Sequence, residues 1–287
     1  MGVRPPEIVK LQNDEELPSD DISRLILAVI MFHKYGFFSL EAWSFSIVLK
    51  HCKQESTFFD DCSEADISGL LSLCELNVTP EISTLREYIH QVLLLRTGLA
   101  PMNSAAPLAL GRKIDVVQAI QIAAEHGLPQ LHGLLHYYVL QQALSSAFQE
   151  NKSFEYAKFL PAGLATEFHK SKFQRGFMSL LAVYEELNRQ LLGQDLESYC
   201  ICGGNSCKQG ARMTLDSVER RCRRQYRFLD VLGWLSVGAM KVRDTLSRAD
   251  GWMQVSRKCE DRLIAVITHR EENIKSRLEK VFSVSKT

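Results

Sequence analysis

Four cysteines crowd one stretch of this chain, Tyr199 to Leu229: Cys200, Cys202, Cys207 and Cys222. Four thiolates are a complete tetrahedral ligand set for a structural zinc ion, and Gly203-Gly204 would let the backbone fold back over a metal. The spacing, C-x-C-x4-C-x14-C, matches none of the common paired C-x2-C frameworks. A redox-active loop or ordinary thiols are the other readings of the same residues. Cys222 also falls on a helical stripe with Leu215, Val218 and Tyr226, where a free cysteine serves as a small core hydrophobe.

The same stretch is rich in arginine: Arg220, Arg221, Arg223, Arg224 and Arg227, with Arg212 upstream. On a helix, Arg220, Arg224 and Arg227 share a face and form a strip about 10 Å long. Guanidinium groups pair bidentately with phosphate oxygens, so the strip suits a nucleic-acid backbone. Lys170, Lys172 and Arg175 form a second basic cluster that could line the same groove. The plainer reading is a solvated face paired with acidic neighbours.

His132 and His136 stand four residues apart on one predicted helix, a spacing that can place two imidazoles on one metal. No glutamate follows the first histidine and no third ligand is evident, so polar decoration or a buried histidine with a partner is the expectation. There is no phosphate-binding glycine loop, nucleophile elbow or kinase signature. The chain is therefore read as a non-enzyme.

The elements that must position these residues are helices. Ser19 is expected to cap a helix that ends at Gly36. Ser39 opens a second, with Trp43, Ile47 and Val48 inward. Ser63-Glu-Ala-Asp66 resembles a capping box with Asp in place of Glu. Thr79-Pro80-Glu81 starts a helix to about Arg96, with proline at its first position. Thr97 to Gly111 reads as a connection, Ile114 to Gly127 as a further helix, and Pro129 as the start of the next.

Asn151 to Lys172 should form short helical turns, and Phe173 to Leu192 a regular helix. Two long patterns, roughly Thr214 to Ala249 and Asp250 to Val281, finish the chain as an αα-hairpin. Cys259 lies on the apolar stripe of the second. Strand signals are weak throughout, so the predicted fold class is all-α: a multi-helix bundle, in two lobes, with a long C-terminal αα-hairpin. The predicted organisation is a mobile arm over 1–18, a helical lobe over 19–193, a Cys/Gly loop over 194–212 and the hairpin over 213–287.

The formal charge is zero over 287 residues. It is uneven, at −7 for residues 1–166 and +7 for residues 167–287. A basic C-terminal part can attract an anionic partner or dock on the acidic part of the same chain. The N-terminal residues lack the apolar run of a secretory signal, and no run is long enough to span a bilayer. These features lead us to expect an intracellular protein, cytoplasmic or nuclear, with eight reduced cysteines and no membrane partner.

Two functions fit. The first is an all-α interaction protein that acts as a subunit or adaptor among protein subunits. The alternative is a nucleoprotein-like protein that binds single-stranded RNA or DNA in the basic groove. No cofactor is expected; a structural zinc at the four cysteines is the one candidate.

Overall fold

A computed structural model describes residues 17–52, 58–76, 80–98, 113–150, 155–190, 200, 202–225, 230–247 and 255–282. Among them are eleven α-helices, two 3-10 turns and no strand. The helices are α1 (Ser19–Tyr35), α2 (Phe38–His51), α3 (Phe58–Asp61), α4 (Glu64–Leu76), α5 (Pro80–Arg96), α6 (Val116–Glu125), α7 (Pro129–Gln149), α8 (Glu167–Gln190), α9 (Asn205–Gln225), α10 (Val231–Ser247) and α11 (Arg257–Phe282). The all-α expectation holds.

The chain divides into two compact units, Met1–Leu131 and His132–Thr287. Helix α8 packs against α10 and α11.

In the first unit, α1 packs on α2, α3 and α4, and α4 packs on α5. Ile22, Ile26 and Val29 of α1 are buried, as their helical spacing predicts. Gly36 takes a left-handed conformation (φ 73°), which frees its N–H for His33 O while the Phe37 N–H reaches Phe32 O at 2.9 Å. Leu17, placed in the expected arm, is buried, and Pro18 rather than Ser19 stands at the cap of α1. Residues 1–16 of that arm, and most of the connection from Thr97 to Gly111, lie outside the described residues.

The capping box of α4 forms as read. The Ser63 N–H and hydroxyl both donate to Asp66 Oδ2, at 2.8 and 2.7 Å, and the Asp66 N–H donates to Ser63 Oγ at 3.2 Å. Helix α5 begins at Pro80 and ends at Arg96, and α7 begins at Pro129.

The second unit departs from the expected hairpin. Three helices stand where two were predicted: α9 packs on α10 and α11, and α10 packs on α11. The break follows from Asp230, whose Oδ1 accepts the N–H of Gly233 at 3.0 Å and so caps α10. The same oxygen accepts the hydroxyl of Tyr137 from α7 at 3.0 Å, and that hydroxyl accepts the Leu232 N–H at 3.2 Å. A buried tyrosine thus fixes the start of α10.

The short turns expected over 151–172 are the 3-10 turns Tyr156–Phe159 and Ala162–Leu164. Helix α8 starts at Glu167, earlier than predicted, because the Thr166 carbonyl already accepts the Lys170 N–H.

Candidate metal centre

Cys200 and Cys202 precede α9, and Cys207 lies in its first turn. The helix therefore starts inside the stretch expected to be loop. Cys259 lies in the first turn of α11, where the Ser256 hydroxyl oxygen caps the helix by accepting the Cys259 N–H at 3.4 Å. Because α9 and α11 pack together, their N-terminal ends bring Cys200, Cys202, Cys207 and Cys259 into one group.

The four Sγ atoms all lie within 4.8 Å of one another, and those of Cys200 and Cys202 are 3.3 Å apart. Thiolates at about 2.3 Å from a tetrahedral zinc ion stand about 3.8 Å from each other, so the cluster is close to the size an ion requires.

Cys222 is not the fourth member. It sits fifteen residues beyond Cys207 on the continuous helix α9, which separates their backbones by about 22 Å along the axis. No single ion can bridge that span. Cys259 was legible only as a buried position on the α11 stripe. It is buried, but among thiols: Cys200, Cys207 and Cys259 form a small core of their own, with Val255 against it.

The surroundings act differently on the individual thiols. The Ser256 N–H donates to Cys207 Sγ at 3.4 Å. The Gly204 backbone draws the Cys202 thiol below its ordinary value, with the hydrogen bond to Cys200 adding to this. Both helix N-termini direct their positive dipole ends at the group, which suits the net negative charge of a tetrathiolate. Without a metal, burial pushes the Cys207 thiol up to about 12, so a bound ion would replace its proton. No family model matches this chain, and neither curated proteins nor solved structures give a match.

The remaining cysteines contrast with the cluster. Cys52, Cys62 and Cys74 are buried in the first unit, and burial pushes all three thiols up, those of Cys62 and Cys74 to about 11. Such thiols are inert core residues.

The basic residues do not share one environment. Arg212 and Arg220 on α9 are exposed, as is Arg175 on α8. Lys170 is paired with Glu167 at 2.7 Å. Lys172 is 3% exposed, with Nζ 4.4 Å from the centre of the Phe168 ring, so it is not available as an open contact. The side chains of Arg221, Arg223, Arg224 and Arg227 lie outside the described residues.

His132 and His136 are buried beside His169 and Lys172. The His136 Nδ1–H donates to the His132 carbonyl at 2.9 Å, and its ring packs on Phe173 and Phe282. These histidines do not join a metal-sized group among the described residues. The pair is a core feature with a backbone partner.

The first unit carries a feature of another kind. Along the α1–α2 hairpin, Leu27, Met31, Tyr35, Phe37, Phe38, Leu40 and Trp43 are all exposed, from 40% for Trp43 to 72% for Phe38. The sequence pattern placed Trp43 inward. Instead Glu41 and Ser44 are buried, with Glu41 Oε1 2.9 Å from His33 Nδ1. Glu41 thus takes the inner position, within hydrogen-bond reach of the exposed His33 ring, and the aromatic residues face outward. No helix among the described residues is long and apolar enough to cross a membrane.

Proposed function

We propose that this is a non-enzymatic all-α interaction protein that serves as a subunit or adaptor and docks another protein on its α1–α2 hairpin. The observation that carries this reading is the row of seven exposed large apolar side chains within the seventeen residues from Leu27 to Trp43. Contiguous patches of this kind mark binding surfaces, and aromatic residues and methionine dominate the centres of protein interfaces.

The charge of the face selects its occupant. From Leu25 to Lys50 the only carboxylate is Glu41, which is buried, while Lys34 is exposed beside the Tyr35 ring. The fitting partner is an amphipathic helix whose apolar stripe is flanked by acidic residues. A photo-crosslinking residue placed at Phe38 tests this. We expect one discrete adduct with a different protein, abolished by Leu27→Glu with Met31→Glu. An adduct of twice the chain mass would identify a second copy instead, and an adduct that survives both charges would overturn the reading.

The four cysteines, in this reading, hold a structural zinc ion that ties the start of α9 to the start of α11. The soft donor set and the four sulfurs lying within 4.8 Å of one another support zinc. Metal analysis of protein purified without added metal should give one zinc per chain. Cys207→Ser and Cys259→Ser should each lose it, while Cys222→Ser should keep it. Retention of zinc by Cys259→Ser would sink the assignment.

A further inference from the structure

The four thiols of the centre are not equivalent. Cys200, Cys207 and Cys259 are buried, whereas Cys202 is exposed. Gly203, with φ 71°, turns the chain directly after Cys202. The Cys200 thiol stands 3.3 Å from that of Cys202, with one residue between the two in sequence. On the far side of the cluster, Cys207 Sγ accepts the Ser256 N–H and Val255 covers the buried group. A small electrophile arriving from solvent therefore meets Cys202 first, and the first oxidation product forms within reach of a second thiolate.

We infer that Cys202 is an oxidation site for hydroperoxides, and that its conversion to a disulfide with Cys200 releases the metal. This rests on the zinc reading above. The Cys202 thiolate attacks one oxygen of the hydroperoxide, and the O–O bond breaks. The sulfur gains the oxygen as a sulfenic acid, and the other oxygen leaves as hydroxide, or as alkoxide from an organic peroxide. The Cys200 thiolate then attacks the Cys202 sulfur, the S–S bond forms, and the sulfenic oxygen departs and takes up a proton as water.

Two electrons pass from the thiolate pair to the peroxide. With hydrogen peroxide and two protons the products are the disulfide and two waters. Zinc is left with Cys207 and Cys259 alone, and two ligands do not retain it. A disulfide closed over a single intervening residue is strained, and strained disulfides have the more oxidising potentials, so thiol reductants reverse the step.

The experiment uses the full chain with its zinc content measured first. A preparation that neither carries nor takes up zinc sinks the zinc reading by itself, before any oxidant is added. On zinc-loaded protein, hydrogen peroxide is titrated while a metallochromic indicator follows free zinc and peptide mass spectrometry follows the cysteines. We expect zinc release in step with a Cys200–Cys202 disulfide, and dimedone captured at Cys202 when added with the peroxide. Dithiothreitol with added zinc should restore the loaded state.

Cys202→Ser should lack the dimedone adduct and the disulfide even where its zinc affinity is reduced, and the wild-type mapping needs no variant at all. First modification at Cys207 or Cys259, or zinc release with Cys200 and Cys202 still reduced, would overturn the inference.

Discussion

Arg96 is 4% exposed, and its Nη1 donates to the carbonyl oxygen of Cys62 at 2.8 Å and to the Cys62 thiol at 3.2 Å. Removing that donor leaves a buried carbonyl without it, so Arg96→Ala should cost about 2–4 kcal/mol in urea unfolding. Gly176 is a second fixed point, because an added Cβ there would overlap the Phe282 ring. Gly176→Ala should destabilise by about 1–3 kcal/mol, and pairing it with Phe282→Leu should recover part of the loss.

The histidines give a pH dependence. Burial lowers His132 to about 4 and His136 to about 3, with Lys172 and His169 opposing the charged forms further. The unfolded chain binds these protons near 6.5 and the folded chain does not, so stability is fully present above that value. It falls as pH drops through 6.5 and goes on falling toward 4 and 3. The urea midpoint should drop between pH 7 and pH 4.5, and His136→Leu should flatten that limb relative to wild type. At this scale the sequence showed which residues were unusual but not their neighbours. Cys259 looked like one more apolar position because burial among thiols and burial among leucines leave the same mark on a helical stripe.

Helix ends were the most legible elements. The Ser63–Asp66 box and the Pro80 and Pro129 starts depend on residues three or four apart, and such signals are complete within one turn. Ser63→Ala should cost about 1 kcal/mol. The missed element is the break before α10. Asp230 offers no stronger local signal than any aspartate in a helical pattern, and its role depends on Tyr137, 93 residues away in the chain. Asp230→Ala should destabilise by about 1–3 kcal/mol and Tyr137→Phe by less. The double mutant should fall short of their sum, because the two side chains share one hydrogen-bond network.

For the molecule as a whole, the division at Leu131/His132 and the position of the metal centre define a test. On the zinc reading proposed above, chelation should raise hydrogen exchange at the starts of α9 and α11 and lower the unfolding temperature. Exchange in α1 through α5 should stay as it was. Loss of protection spread evenly across both units would argue against a local clamp.

The sequence alone determined that this chain is helical and where most of its helices begin and end, because periodicity and capping are local chemistry. It also marked Cys200, Cys202 and Cys207 as a group. Only the tertiary structure decided the rest. It supplied Cys259 across 52 residues of chain, buried Lys172 out of its basic cluster, and turned Trp43 and Phe38 outward by seating Glu41 within. Which thiol completes a tetrahedron, and which apolar face stays uncovered, depends on how distant helices pack, and no spacing along one helix records that.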